Sequence, residues 1–315
     1  MIKIFLAILS IKLAALATYL TTEILSKYVY SYSKNFGYMG KIFLFVYSGL
    51  IFILLPLITS INLALIGESN LAYYNILYNV LLDATISSGI LILISKKDEK
   101  IILDKKIIFI TSLIFTINIF LIIKGFLNML DSFILFFLFI FSSLYLLKSN
   151  IEKSNYKSFK NNKNIVDLLF KIFFILISFI IFIICSQILS YSAIYLKNIL
   201  NNAPLVAYII NLISNTAPNF LFGYMIYKES KNFEEAHLSI FGQFFYSFTI
   251  CIGIICGILP ILFTNKDVIV LLSSFIALYS SMIIFNLYAY GLSLPKEVGI
   301  FLIMLGLLVG LITIY

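Results

Sequence analysis

Read end to end, the chain is a series of apolar runs near 20 residues long. They lie at roughly 2–26, 40–66, 71–95, 107–124, 130–148, 168–196, 203–227, 236–264, 268–291 and 297–315. At a helical rise of about 1.5 Å per residue, about 20 apolar residues cross the roughly 30 Å of hydrocarbon in a bilayer. Lipid offers the backbone no hydrogen-bond partners, so each run must satisfy its own N–H and C=O groups, which a helix does. Charge content agrees: 11% of residues are charged, against about 25% in a soluble domain, and 62% are hydrophobic, giving a mean hydropathy of +1.08. The expectation is an all-α integral membrane protein of ten transmembrane helices whose first partner is the lipid bilayer.

The lysines test that span count. The chain has no Arg, and its net charge of +8 is carried by 22 lysines. With the N-terminus outside, 17 of them fall in inner loops, and Lys3, Lys12, Lys124, Lys197 and Lys266 fall outside. A miscounted helix would scramble this alternation, which follows the positive-inside rule and gives the net charge an explanation other than nucleic acid. It places the protein in the cell membrane as a multi-pass chain with both termini outside. The opening MIKIFLAILSIKLAALATYL has the look of a secretory signal, but a signal enters with its N-terminus inside and would invert the lysine count. The first run is therefore read as a span.

The longest polar stretch, within 149–166, falls between the fifth and sixth spans. The chain then divides into a first five-helix unit, 1–150, a basic cytoplasmic linker, 151–166, and a second five-helix unit, 167–315. Two related units with an odd number of spans must insert in opposite senses, so the expected architecture is two inverted five-helix repeats, as in many secondary transporters.

Polar residues inside the spans indicate where such units would meet. In NILYNVLLD, residues 75–83, Asn75, Asn79 and Asp83 recur every four positions and form one polar stripe on an apolar rod. An intramembrane Asp costs about 2.5–3.5 kcal/mol on insertion scales and is expected to face the bundle and mark an ion path. In the second unit Ser239, Gln243 and Ser247 repeat the spacing, and NLISNTAPN supplies Asn211, Ser214, Asn215, Thr216 and Asn219 around Pro218. Proline within a membrane helix frees a backbone carbonyl, which is tolerated where it faces protein or an ion.

With these elements the chain resembles the sodium/calcium exchanger superfamily of cation antiporters, as a degenerate member. The family carries GTSxPE on one helix and GNxxGSN, followed shortly by Asn or Asp, on the next, once in each inverted half. SNTAPN, residues 214–219, is similar to the first element, keeping Thr216 and Pro218 but placing Asn219 where the family has its cation-binding Glu. IGESNLAYYNILYNVLLD aligns with the second, setting Asn75, Asn79 and Asp83 on its polar positions and Pro56 on the other Glu position. One extra loop residue sets Ser239, Gln243 and Ser247 on the corresponding second-half positions. The resemblance implies a secondary cation transporter working by alternating access, with Asp83, Asn79, Asn75, Thr216, Asn219, Ser239, Gln243 and Ser247 as the cation site. Asp83, Asn79 and Asn219 would be the direct ligands.

Ligand chemistry narrows the cargo. Calcium prefers six to eight oxygens, usually with more than one carboxylate. This set has one carboxylate among amides and hydroxyls, which matches a monovalent cation or a proton better; Na⁺, Ca²⁺ and H⁺ are the cations considered. No cofactor is implied. The sequence contains no Walker loop and no GxGxxG, so neither nucleotide nor nucleic acid is an expected partner. HExxH needs two histidines and the chain has one, His237, whose EEAH context reads as a solvated helix start with acids at its positive end. Glu23, four residues before Lys27, reads as an interfacial salt bridge. Cys185, Cys251 and Cys256 lack metal or disulfide spacing and read as small core residues. A lipid enzyme would need acids, His or Lys gathered at one interface, and EEAH is the sole candidate. The remaining alternative is a transport-inactive exchanger-like membrane scaffold or subunit.

Overall fold

The computed structural model describes residues 2–33, 49–95, 105–151, 165–231, 233–288 and 294–314. In chain order the helices are α1 (Ile2–Ser33), α2 (Gly49–Leu65), α3 (Ser69–Leu82), α4 (Ser88–Ile94), α5 (Lys105–Ile123), α6 (Met129–Ile151), α7 (Ile165–Leu200), α8 (Ala203–Ser214), α9 (Thr216–Ser230), α10 (Phe233–Tyr246), α11 (Ile252–Ile258), α12 (Asn265–Tyr288) and α13 (Lys296–Ile312). Seven rods among the described residues are long and apolar enough to cross a membrane, and the shorter Ile53–Leu65 and Ile107–Ile123 are also apolar. The proposed linker, most of which lies within 152–164, falls outside the described residues, as do many of the loop lysines.

Two rods form the buried centre, and they are built alike. α3 runs for 14 residues into a π-helical turn, Asp83–Ser87, and continues as α4; α10 runs for 14 residues into a π turn, Ser247–Cys251, and continues as α11. Each of these segments recurs at the same length 164 positions later. The two π turns share a device. Thr85 Oγ1 donates to the Leu81 carbonyl at 2.7 Å and Thr249 Oγ1 donates to the Phe245 carbonyl, so a hydroxyl engages the carbonyl one turn back, a contact that bends helices. In the first turn Ser88 also donates its Oγ to the Asp83 carbonyl at 2.9 Å; beside the second, Asn118 Nδ2 of α5 donates to the Phe248 carbonyl at 2.9 Å.

The other helices wrap this pair. α1 and α7 pack on each other, α1 lies along α8 and α9, and α7 lies along α2. α13 packs on α4 through glycines: a Cβ on Gly299 would sit 2.7 Å from the Gly89 carbonyl oxygen, and one on Gly306 would sit 2.4 Å from Thr85 Oγ1. Small residues bring membrane helices this close because lipid provides no hydrophobic drive between them. At the end of α4, Lys296 Nζ donates to the carbonyls of Ile92 at 2.8 Å, Leu93 at 2.7 Å and also Ser95, a cation on a helix C-terminus. At the opposite end, two-residue strands β1 (Phe126–Leu127) and β2 (Ile261–Leu262) pair antiparallel, joining the connection before α6 to that before α12.

His237 corrects a sequence expectation. It is fully buried, with its ring centroid 4.7 Å from Phe233 and 4.5 Å from Phe285, where a solvated helix start was expected. The acids that precede it misled, because solvation at a helix start depends on the angle of entry and not on the neighbouring residues in sequence. The side chain of Lys27, the proposed partner of Glu23, lies outside those described. The three cysteines are free and buried.

Candidate functional site

The break in the α8–α9 rod sets up the site. α8 ends at Ser214, Asn215 departs from helical geometry at φ −112°, and α9 restarts at Thr216. Pro218 has no N–H to offer the carbonyl four residues back, so the helix cannot run unbroken through this point. Side chains rebuild what is lost: Thr216 Oγ1 donates to the Asn211 carbonyl at 3.1 Å, Ser214 Oγ donates to Asn215 Oδ1 at 3.2 Å, and Asn215 Nδ2 donates to Asn211 Oδ1.

Against this break stands the first π turn. Asp83 is 1% exposed, so it does not face lipid. Its Oδ2 accepts from Asn219 Nδ2 at 2.6 Å and its Oδ1 accepts from Ser87 Oγ at 3.0 Å. Ser87 also donates to the Thr216 carbonyl at 3.3 Å, tying the turn to the first residue of α9. Asn79 links the rest, its Oδ1 accepting from Asn219 Nδ2 at 3.4 Å and its Nδ2 donating to Gln243 Oε1 of α10 at 3.3 Å. Three rods therefore converge on one carboxylate. Among the described residues, no Lys or His pairs with Asp83.

Two buried polar groups here are left over. Gln243 Nε2 and Ser247 Oγ are inaccessible to solvent and, among the described residues, have no hydrogen-bond partner. A buried donor without a partner costs about 1–3 kcal/mol, so such groups in a polar cluster call for a reason. An amide turned by half a revolution exchanges its NH₂ for its oxygen without changing shape. Gln243, Asn219 and Asn79 can thus face Asp83 as donors when it is alone, or face a cation beside it as acceptors.

The predicted residues do not all meet. Asn75 Nδ2 donates to the Pro56 carbonyl at 3.1 Å and to Ser60 Oγ at 2.9 Å, while its own carbonyl and Oδ1 both accept from Asn211 Nδ2 at 3.0 Å. It locks α3 to α2 and α8. Thr216 reaches the cluster by its main-chain carbonyl, its hydroxyl being bonded back across the break. Ser239 lies in α10, and its side chain is outside those described.

Sequence reasoning passed over Ser87, although it continues the four-residue spacing of Asn75, Asn79 and Asp83. It also passed over Thr18 and Thr22 of α1. Both line a narrow cavity of about 10 Å³ with Leu55, Phe182, Ser214, Asn215, Pro218 and Asn219. That is room for about one water-sized sphere. The cavity connects α1 and α7 with the broken helix. Among the described residues no cluster of three or more His, Cys, Asp and Glu side chains forms, so the centre has the donor set of an amide and hydroxyl site around a lone acid.

By sequence, no family and no curated protein matches the chain. By structure the likeness is extensive. The chain superposes on the H⁺/Ca²⁺ exchanger CAX with a TM-score of 0.68 at 13% identity, covering 96% of this chain and 87% of that one. It superposes on the sodium-calcium exchanger NCX_Mj, soaked with 100 mM Na⁺ and 10 mM Sr²⁺, with a TM-score of 0.65 at 13% identity, covering 97% of each chain. A second form of NCX_Mj, soaked with 2.5 mM Na⁺ and 10 mM Sr²⁺, gives 0.61 at 14% identity, over 97% and 98%. At these identities the likeness speaks for the fold alone: the chain shares the fold of these two exchangers.

Proposed function

We propose that the chain is a secondary cation transporter of the antiporter type, built from two inverted five-helix units, 1–150 and 167–315, joined by the basic segment 151–166. The recurrence of each central segment 164 positions on supports the repeat. The lysine distribution supports ten spans with both termini on the side away from the lysine-rich loops. The observation that carries the reading is the meeting of Asp83 with Asn219 at a broken helix, 2.6 Å apart and out of contact with lipid, beside two buried polar groups without partners among the described residues.

In this reading Asp83 anchors the cation, and Asn79, Asn219, Gln243, Ser247 and the Thr216 carbonyl replace its hydration shell. One carboxylate balances one charge, so the cargo is Na⁺ or H⁺ in preference to Ca²⁺, although both solved relatives are named for calcium. Access alternates as α1 and α7 slide over the central rods, with the small cavity at Thr18 and Thr22 on the route. The chemistry needs no enzyme activity and no cofactor.

The test is reconstitution into liposomes with Na⁺, K⁺, Ca²⁺ and H⁺ gradients imposed one at a time. The native chain should carry at least one of these ions, and Asp83→Asn should abolish that flux while remaining folded. One observation favours a second reading, a transport-inactive membrane scaffold. Both Asp83 oxygens already accept hydrogen bonds from protein donors, so the acid is satisfied without a cation. Under that reading no gradient drives flux, Asp83→Asn changes nothing, and a partner protein co-purifies.

A further inference from the structure

At the end of α9 remote from the break is a groove of about 480 Å³ lined by Ile94, Phe220, Tyr224, Tyr227, Lys228 and Lys231. We propose that it binds the headgroup of an anionic phospholipid, such as phosphatidylglycerol, with its acyl chains lying on the aromatic wall. Depth is the first argument. Lys228 and Lys231 lie nine and twelve residues beyond Asn219, about 13 and 18 Å along a helix. With Asn219 at mid-membrane, they reach the edge of a hydrocarbon core about 30 Å thick, where phosphates lie. Ile94, eleven residues beyond Asp83 on the other rod, reaches the same level, and Lys296 anchors to the carbonyls around it.

Charge is the second argument. Both lysines are exposed and, among the described residues, neither has an acidic partner. Lys231 closes α9 in the left-handed conformation, φ +56°, with its N–H on the Tyr227 carbonyl at 2.9 Å, which places the second cation one turn past the first at the end of the helix. Glu229, between them, is exposed and is not part of the groove lining. The third argument is the wall itself. Phe220 and Tyr224 stack with centroids 6.1 Å apart, and Tyr224 and Tyr227 carry their rings at the depth where tyrosine favours the membrane interface, apolar body inward and hydroxyl outward. Two exposed cations lining one groove with aromatic rings at this depth match a lipid phosphate better than a soluble anion, which would gain nothing from the rings.

Native mass spectrometry of the purified full-length chain, released from mixed micelles of phosphatidylcholine and phosphatidylglycerol, reads this directly. The native chain should retain phosphatidylglycerol in preference to phosphatidylcholine. K228Q/K231Q should lose about fivefold affinity per lysine, tenfold to thirtyfold together, and K228R/K231R should keep it. If the glutamine pair fails to fold, the native chain alone still decides, because raising salt from about 0.1 to 0.5 M should release the lipid. Equal retention by native and K228Q/K231Q, no preference between the lipids, or insensitivity to salt would overturn the proposal. So would displacement by glycerol phosphate at the concentration where the intact lipid displaces, which would mark a soluble-anion site. None of these readouts depends on transport.

Discussion

Asn219→Glu places a second carboxylate where the exchanger family has one, and the geometry says what it should cost. In the native chain Asn219 Nδ2 donates to Asp83 Oδ2 at 2.6 Å and stands 3.4 Å from Asn79 Oδ1. The variant exchanges that donor for a negative charge about 4 Å from Asp83. At an effective dielectric constant of about 20, two like charges at that distance repel by about 4 kcal/mol. The lost charge-assisted hydrogen bond adds about 1.5–3 kcal/mol. The sum is a large fraction of the 5–15 kcal/mol that holds a typical domain folded. A divalent cation reverses the sign, since two carboxylates flanked by Asn79 and Gln243 are a calcium-like donor set. The assay is thermal unfolding of the purified chain in detergent, with chelator and across a calcium series. In chelator the variant should melt well below the native chain, and calcium at about 100 times its dissociation constant should restore about 2.7 kcal/mol. The native chain should respond to calcium weakly or not at all. A variant as stable as the native chain in chelator, or one that calcium does not rescue, would refute the placement of residue 219 beside Asp83.

Other substitutions separate ligands from packing. Ser247→Ala removes a buried hydroxyl that has no partner among the described residues, so melting temperature should hold or rise, while flux should fall if that oxygen serves a cation. Asn211→Ala strips an amide bonded to both the carbonyl and the side chain of Asn75 and should cost about 2–3 kcal/mol in thermal unfolding. Gly306→Ala forces a Cβ to within 2.4 Å of Thr85 Oγ1 at the π turn and should destabilise by about 1–3 kcal/mol, whereas Gly253→Ala, with its nearest neighbour 3.5 Å away, should be near neutral.

Much of this molecule is written in local pattern. The apolar runs specify helices because lipid leaves the backbone no other partner, and SNTAPN announces the break because proline cannot donate. The Asn75, Asn79, Asp83 stripe was legible as one face, yet the residues divide their work. Four residues turn a helix by about 400°, so each step drifts about 40°, and Asn75 and Asp83 end about 80° apart and about 12 Å along the rod. That drift aims Asn75 at α2 and α8 and leaves Asp83 facing α9. The π turns were not legible. Thr85 and Thr249 look like ordinary interior threonines, and only their identical placement 164 positions apart reveals a shared function for their hydroxyls. Thr18 and Thr22 were equally silent, since their place at the cavity follows from how α1 packs and not from anything α1 encodes alone.

Equilibrium binding of radiolabelled Na⁺ and Ca²⁺ to the purified native chain and to Asp83→Asn tests the central claim most directly. The account predicts a saturable site, about one Na⁺ per chain, that Asp83→Asn eliminates. Equal Na⁺ binding by the two proteins would contradict it.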